Sequence, residues 1–353
     1  MAGAPKVNPL QAVQRWRHKL TVPQFTVVTG ALVILVGTFI LASPLCSTDD
    51  VGLWEALFTV TSAITVTGLS IIDISRDLTA FGQVALAGLI ITGGLGLMAI
   101  TTFLQGFVQG RSGLRHRLDK GRALDEFGVG GIGPTFNSIL LAGLCVMGAG
   151  TVVLYAFGFT DIQNPLQRFW ASLFHCISAY NNAGFGLWSD SLVRYRDSPV
   201  VNGVIASMIV IGGIGWRVIN DMWAKRFRLA RIRRLSLHTR LVLRSTVLLI
   251  VIGALGLLFT EHFARGGVME ELSLWQRLQV TLFQSVTTRT AGFNTVPLSV
   301  ETVSEAGLLL IIVLMFIGAS PGGTGGGIKT TTFALLMGAT KSTLEGRKQV
   351  VIR

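Results

Sequence analysis

The 353-residue chain is half hydrophobic and only 14% charged, with a mean hydropathy of +0.60, a balance that excludes an ordinary water-soluble domain. Its net charge of +12 suggests nucleic acid only until the charge is located: it lies between apolar runs, as in the cytoplasmic loops of a membrane protein, so no nucleic-acid partner is expected. No apolar run holds a carboxylate pair, a metal-ligand cluster or a nucleophile beside a base, so an enzyme is not expected either.

Residues 1–23 form a basic cytoplasmic segment (Lys6, Arg15, Arg17, Lys19), followed by a full-length apolar run with no small-residue cleavage site, which reads as a retained first helix. Residues 24–110 make a first unit. The uncharged run Thr21 to Thr48 is followed by a shorter apolar segment from about Trp54, a glycine turn, and the run Leu78 to Gly110. A basic linker, 111–127, leads to a second unit, 128–224, with runs Phe127 to Thr160 and Ser198 to Trp216 flanking a short segment from about Leu166. A second basic linker, 225–239, precedes a third unit, 240–340, with runs Ser245 to Thr260 and Ala306 to Ile328 around a short segment from Leu274. Leu241 to Leu243 extend the shorter run while Arg244 snorkels to the interface. The tail 341–353 is again basic.

Most of the long runs reach the roughly 20 residues that cross a hydrocarbon core, about six spans in all. The segments between the basic ones hold Asp49, Asp50, Asp161, Asp190, Asp197, Glu261, Glu270 and Glu271. This alternation puts the N-terminus in the cytoplasm and the acidic loops outside. Cys46, Cys145 and Cys176 lack metal-ligand spacing and read as small apolar residues.

The units recur at roughly 110-residue spacing. Each short segment carries Leu-Phe (Leu57-Phe58, Leu173-Phe174, Leu282-Phe283) and ends in a small-residue turn: Val66-Thr67-Gly68, Asn182-Ala183-Gly184 and Thr290-Ala291-Gly292, the third glycine arriving one residue sooner. A helix too short to cross the core can end at that depth only where its backbone is buried in protein or faces a water-filled cavity. Its C-terminal dipole and free carbonyls then favour a cation, and a ring of such carbonyls can replace hydration water. These nine residues are the candidate ion-binding filter. Glycine serves there because inward-aimed carbonyls need backbone angles that a β-carbon penalises. The fold class is therefore an all-α membrane protein of helix–pore helix–helix repeats around a pseudo-symmetric cation pore.

Those turns, with Gly318-Ala319-Ser320-Pro321-Gly322-Gly323-Thr324-Gly325-Gly326-Gly327-Ile328-Lys329, resemble the Trk/Ktr/HKT superfamily of potassium translocation proteins over nearly the whole chain. The single helix before the first pore segment is more similar to the Ktr-type membrane subunit than to the longer Trk type. The resemblance implies K+ as substrate, with Na+ as coupling ion, activator or competitor, and no further cofactor. It implies a plasma-membrane homodimer seated on a cytosolic nucleotide-binding regulatory ring of the KtrA kind. It also makes the glycine-rich segment 318–329 an intramembrane gate, with Gly322, Gly323, Thr324, Gly325, Gly326 and Gly327 as a flexible loop and Lys329 as the cation opposing passage. The family closes its pore with four units and three are visible here, so a partial sequence is expected, or else a non-conducting scaffold that needs another subunit.

A phosphate-binding reading of the Gly-rich run before Lys329-Thr330 is discounted: no strand precedes it and Ile328 separates the last glycine from the lysine. Gly93-Gly94-Leu95-Gly96 and Gly212-Gly213-Ile214-Gly215 read as helix-packing positions inside spans. Arg289 and Asn181 are expected to brace the filter from behind, Arg289 by bonding backbone or a carboxylate, unless its charge instead snorkels to the outer surface. His175 reads as a packed polar residue, and Arg217 with Asp221 as an interfacial charge pair.

Overall fold

The computed structural model describes residues 22–48, 51–111, 132–224, 235–263, 272–299 and 301–346. The expected N-terminal basic segment, most of both basic linkers, Asp49, Asp50, Glu270, Glu271 and the end of the tail lie outside these residues.

The described residues are helical, with only two isolated bridges, Ser47 with Leu78 and Ile317 with Ile328. The first unit is α1 (Val22–Leu41), the short α2 (Leu53–Ile64) and α3 (Ala80–Arg111). The second is α4 (Ile132–Val153), lengthened by a π-turn at Leu154–Gly158, then α5 (Pro165–Tyr180) and α6 (Pro199–Ile214). A surface-directed helix, α7 (Trp216–Ala224), leads to the third unit: α8 (Leu237–Phe263), α9 (Leu274–Thr287) and α10 (Glu305–Phe316), with α11 (Thr330–Leu344) after it. In each unit the three helices pack on one another; α3 then meets α4 and α5, and α6 meets α8 and α9, so the units adjoin in chain order.

The three central helices are 12, 16 and 14 residues long. At 1.5 Å per residue they reach about 18 to 24 Å, short of the roughly 30 Å hydrocarbon core. Two start on side-chain caps. Asn164 accepts from the amides of Leu166 (2.9 Å) and Gln167 (3.3 Å) ahead of α5, and Ser273 with Gln276 forms a reciprocal capping box ahead of α9. Each cap contributes about 1 kcal/mol and places a polar residue at the helix entrance.

Polarity is arranged for lipid. The pore helices α2, α5 and α9 bury polar groups, among them Thr59, Ser62, His175, Ser178, Gln284 and Thr287, while Phe39, Leu248, Phe259, Leu309 and Ile312 on the outer helices are exposed. In a bilayer such an outer face costs nothing, and association rests on packing. Phe159, Phe174, Tyr180, Phe185, Phe283 and Phe293 supply that packing as the large, fully buried side chains around the central helices.

Two of the expected spans are modified. Asn137–Gly158 and Leu237–Phe263 are each long and apolar enough to cross alone, but Pro199–Ile214 qualifies only together with Trp216–Ala224, and that pair is bent by 94°. The bend falls at Gly215, whose φ is +89°; a β-carbon there would lie 2.7 Å from the Pro321 carbonyl oxygen. The segment 212–215 is thus a helix break against another chain segment, beyond the packing role read from its glycines. The run 306–328 ends as helix at Phe316, and the remainder is a loop.

Candidate filter and loop

The three short helices end alike. In α2, Val66 donates its amide to Ala63 and Thr67 to Ser62; in α5, Asn182 donates to Ala179 and Ala183 to Ser178. Both are Schellman closures, in which the chain leaves through a left-handed residue. The third closes one residue tighter, with the Ala291 amide on the Thr287 carbonyl at 2.9 Å, as its early glycine demands. In every turn the first and third residues are left-handed: Val66 (φ 55°) and Gly68 (81°), Asn182 (55°) and Gly184 (73°), Thr290 (67°) and Gly292 (81°). Val66 and Thr290 are β-branched, for which that region is strained, and such strain persists only where the surroundings hold it.

The turns converge. A β-carbon on Gly68 would lie 2.5 Å from the Ala183 carbonyl oxygen, and one on Gly184 would lie 2.7 Å from that of Ala291 and 3.1 Å from the Gly292 α-carbon. Backbone therefore meets backbone between the first and second turns and again between the second and third. Among the described residues, none of the carbonyls of residues 66–68, 182–184 and 290–292 accepts a hydrogen bond. Helix-end carbonyls left without donors form a concentrated acceptor surface.

Beneath this lies the glycine-rich loop. The sequence predicts a flexible loop; the structure shows a pinned one. Gly318 donates to Ile328 (3.0 Å), Ala319 to Gly326 (3.1 Å) and Ile328 to Phe316 (3.2 Å), which closes it on itself. It is tied to the α6 break by Ser320 to Gly213 (2.9 Å), Thr324 to Gly212 (3.1 Å) and Trp216 to Gly322 (3.2 Å). Lys329 turns its ammonium back onto the Gly325 carbonyl at 2.7 Å, so in this arrangement it holds the loop's shape. Gly325 abuts the third turn, where a β-carbon would lie 2.5 Å from Thr290 Oγ1.

Asn181 donates to the Ile177 carbonyl at 2.8 Å and lies against Met147 behind the second turn. Asn182 reaches the other way, its Nδ2 donating to Thr324 Oγ1 at 2.7 Å. Arg289 is buried, but its Nε has no partner among the described residues, and the expected bond to backbone or carboxylate is not made. It lines a small cavity with Asn182, Gly213, Val286 and Ala319, between the turns and the loop.

His175 does more than pack. Its Nδ1 lies 2.8 Å from the Ala171 carbonyl, its Nε2 accepts the Leu187 amide at 3.4 Å, and its ring stacks on Trp188 with centroids 4.4 Å apart. It thereby ties the segment leaving the second turn to its pore helix. Thr59 and Gln284 occupy the same position in the other pore helices and are equally buried, but their side chains make no such bond among the described residues. Farther out, the Arg194 guanidinium beside Asp190 holds that carboxyl below the usual carboxylate range. Burial, then the Asp161 carboxylate it bonds, pushes the Tyr195 phenol up.

The model of the TrkH family, described as cation transport protein, matches residues 9–352. Ktr system potassium uptake protein B of Bacillus subtilis is 35% identical over 339 residues, 95% of this chain and 73% of that protein. The protein of the same name from Vibrio alginolyticus is 34% identical, covering 94% and 71%, and the potassium/sodium uptake protein NtpJ of Enterococcus hirae is 31% identical, covering 92% and 70%. The crystal structure of the potassium transporter TrkH from Vibrio parahaemolyticus superposes with a TM-score of 0.70 at 21% identity, over 95% of this chain and 66% of that one, a likeness of fold.

Proposed function

Because the chain belongs to the TrkH family of cation transport proteins and is accordingly a membrane protein, we propose that it is the ion-translocating subunit of a potassium uptake system. The observation that carries this reading is the meeting of three left-handed turns whose carbonyls accept no hydrogen bond among the described residues. Oxygens so placed compensate a dehydrated monovalent cation without fixed negative charge. The filter is then Val66, Thr67, Gly68, Asn182, Ala183, Gly184, Thr290, Ala291 and Gly292. K+ is the transported ion, and Na+ acts as coupling ion or competitor, in keeping with the potassium and potassium/sodium names of the relatives.

The pinned loop 318–329 is the gate in this reading: it lies directly against the second and third turns and must leave for ions to pass. The relatives' designation as components of a Ktr system supports a multi-subunit assembly in the plasma membrane: a homodimer, N-termini cytoplasmic, controlled by a nucleotide-binding ring.

Rubidium uptake into potassium-loaded liposomes tests the proposal. Uptake that is blocked by excess K+ and lost in Gly184→Ser supports it. No uptake at any protein density would instead support a non-conducting scaffold that needs another subunit to complete a pore.

A further inference from the structure

We infer that Thr324, a residue of the loop, positions the second filter turn and thereby sets ion selectivity. The inference rests on the filter reading above and goes beyond a loop that only blocks the path. Thr324 is fully buried, and its hydroxyl is used twice. It accepts from Asn182 Nδ2 at 2.7 Å and donates to the Tyr180 carbonyl at 3.0 Å. Tyr180 is the last residue of α5 and Asn182 the first left-handed residue of the turn. One hydroxyl therefore clamps both sides of the helix-to-turn junction, from a position 142 residues away in the chain.

Nothing else among the described residues holds the Asn182 side chain by hydrogen bond, since its Oδ1 has no partner. Room for the clamp is made at Gly212, where a β-carbon would lie 1.8 Å from the Tyr180 oxygen and 3.0 Å from Thr324 Oγ1. When the loop leaves, both hydroxyl bonds break and Asn182 Nδ2 is stranded in a buried site, an unfavourable state that relaxes by rotation of the side chain and its left-handed backbone. The next residue is Ala183, whose carbonyl oxygen abuts Gly68, so the displacement passes to the first turn. Loop position and filter geometry are one coupled element, and the open state has a filter of different shape.

The test compares Thr324→Val, which keeps shape but deletes the hydroxyl, with Thr324→Ser, which keeps it, in the full-length protein in liposomes. Thr324→Val deletes both hydroxyl bonds, and loss of the one to Asn182, which holds the filter turn, by itself corresponds to about a tenfold change in an equilibrium. The initial rubidium-to-sodium uptake ratio is expected to change by up to about that factor in Thr324→Val and to match the parent in Thr324→Ser. Ser320→Ala removes a bond between the loop and Thr330 (2.8 Å) that does not touch a turn, and is expected to alter the rate but leave the ratio. Amide exchange at Ala183, whose N–H closes the turn on Ser178 at 2.8 Å, gives a readout that needs no flux and should quicken in Thr324→Val alone. A parent-like ratio in a conducting Thr324→Val, or unchanged Ala183 exchange, overturns the coupling. A parent protein that fails to conduct overturns the transport reading, and the exchange result still decides the coupling.

Discussion

Replacing Gly184 by alanine separates a filter made of backbone from one in which glycine is incidental. Two costs add at this site. An L-residue at φ +73° carries about 1–2 kcal/mol of left-handed strain. The added methyl would stand 2.7 Å from the Ala291 carbonyl oxygen and 3.1 Å from the Gly292 α-carbon, both backbone atoms with no rotamer to swing aside, an overpacking of about 1–3 kcal/mol. Relief comes only by shifting the third turn, which displaces the oxygens assigned to the ion. If about 2 kcal/mol of that appears as lost preference for K+, selectivity falls roughly thirtyfold. Gly68→Ala should be at least as severe, with a β-carbon at 2.5 Å from the Ala183 oxygen, and Gly292→Ala milder, its nearest contact being 3.1 Å. Gly88→Ala and Gly148→Ala, in helices with nothing within 4 Å, serve as controls and should be neutral or gain up to about 1 kcal/mol. Competitive rubidium uptake in liposomes, with thermal unfolding in K+ and in Na+, reads both quantities. A Gly184→Ala protein that retains parental selectivity and K+-dependent stabilisation would refute the reasoning.

Ser273→Ala removes the capping box of α9 and should lower stability by about 1 kcal/mol with the uptake ratio unchanged, measured by thermal unfolding beside flux. Glu261→Gln weakens the carboxylate that takes the Ser304 hydroxyl at 2.6 Å and amide at 3.2 Å at the start of α10; a loss of about 1–2 kcal/mol is expected in the same unfolding assay. Asp190→Asn deletes an exposed pair with Arg194 and should cost under about 1 kcal/mol. Because that carboxyl's pKa is depressed by folding, its small contribution is present above the ordinary aspartate range and fades as pH falls through the lowered value, so the parent and Asp190→Asn unfolding curves should converge only in strong acid.

The helical class, the short helices and the turns that end them were legible because each depends on local composition: an apolar run too short to cross, then small residues ending in glycine. Even the one-residue difference in the third turn is visible from the spacing between Phe283 and Gly292, and it reappears as the tighter Ala291 to Thr287 closure. The pinned loop was legible only in part. Six glycines announce a break in the helix, but the bonds that hold the loop come from Gly212 and Gly213, about a hundred residues earlier. Those glycines read as packing positions because, seen alone, a carbonyl offered to a distant amide leaves no mark on its own residue. The setting of Arg289 was not legible for a related reason. Its place next to Thr290 is local, but the cavity it lines is shared with Ile209, Val210 and Gly213 of α6 and with Ala319 of the loop, residues far from it in the chain.

The capped short helices also bear on biogenesis. In the proposed re-entrant arrangement, the helices of 16 and 14 residues that start at polar side-chain caps, α5 and α9, are too short to be laterally released as anchors. On that arrangement these two hairpins are drawn in against their flanking helices, with the cap left at the water boundary as a tether. The proposed ion path is then the last part of those units to be built, and a nascent chain halted before that step would already be membrane-integrated yet closed to permeation.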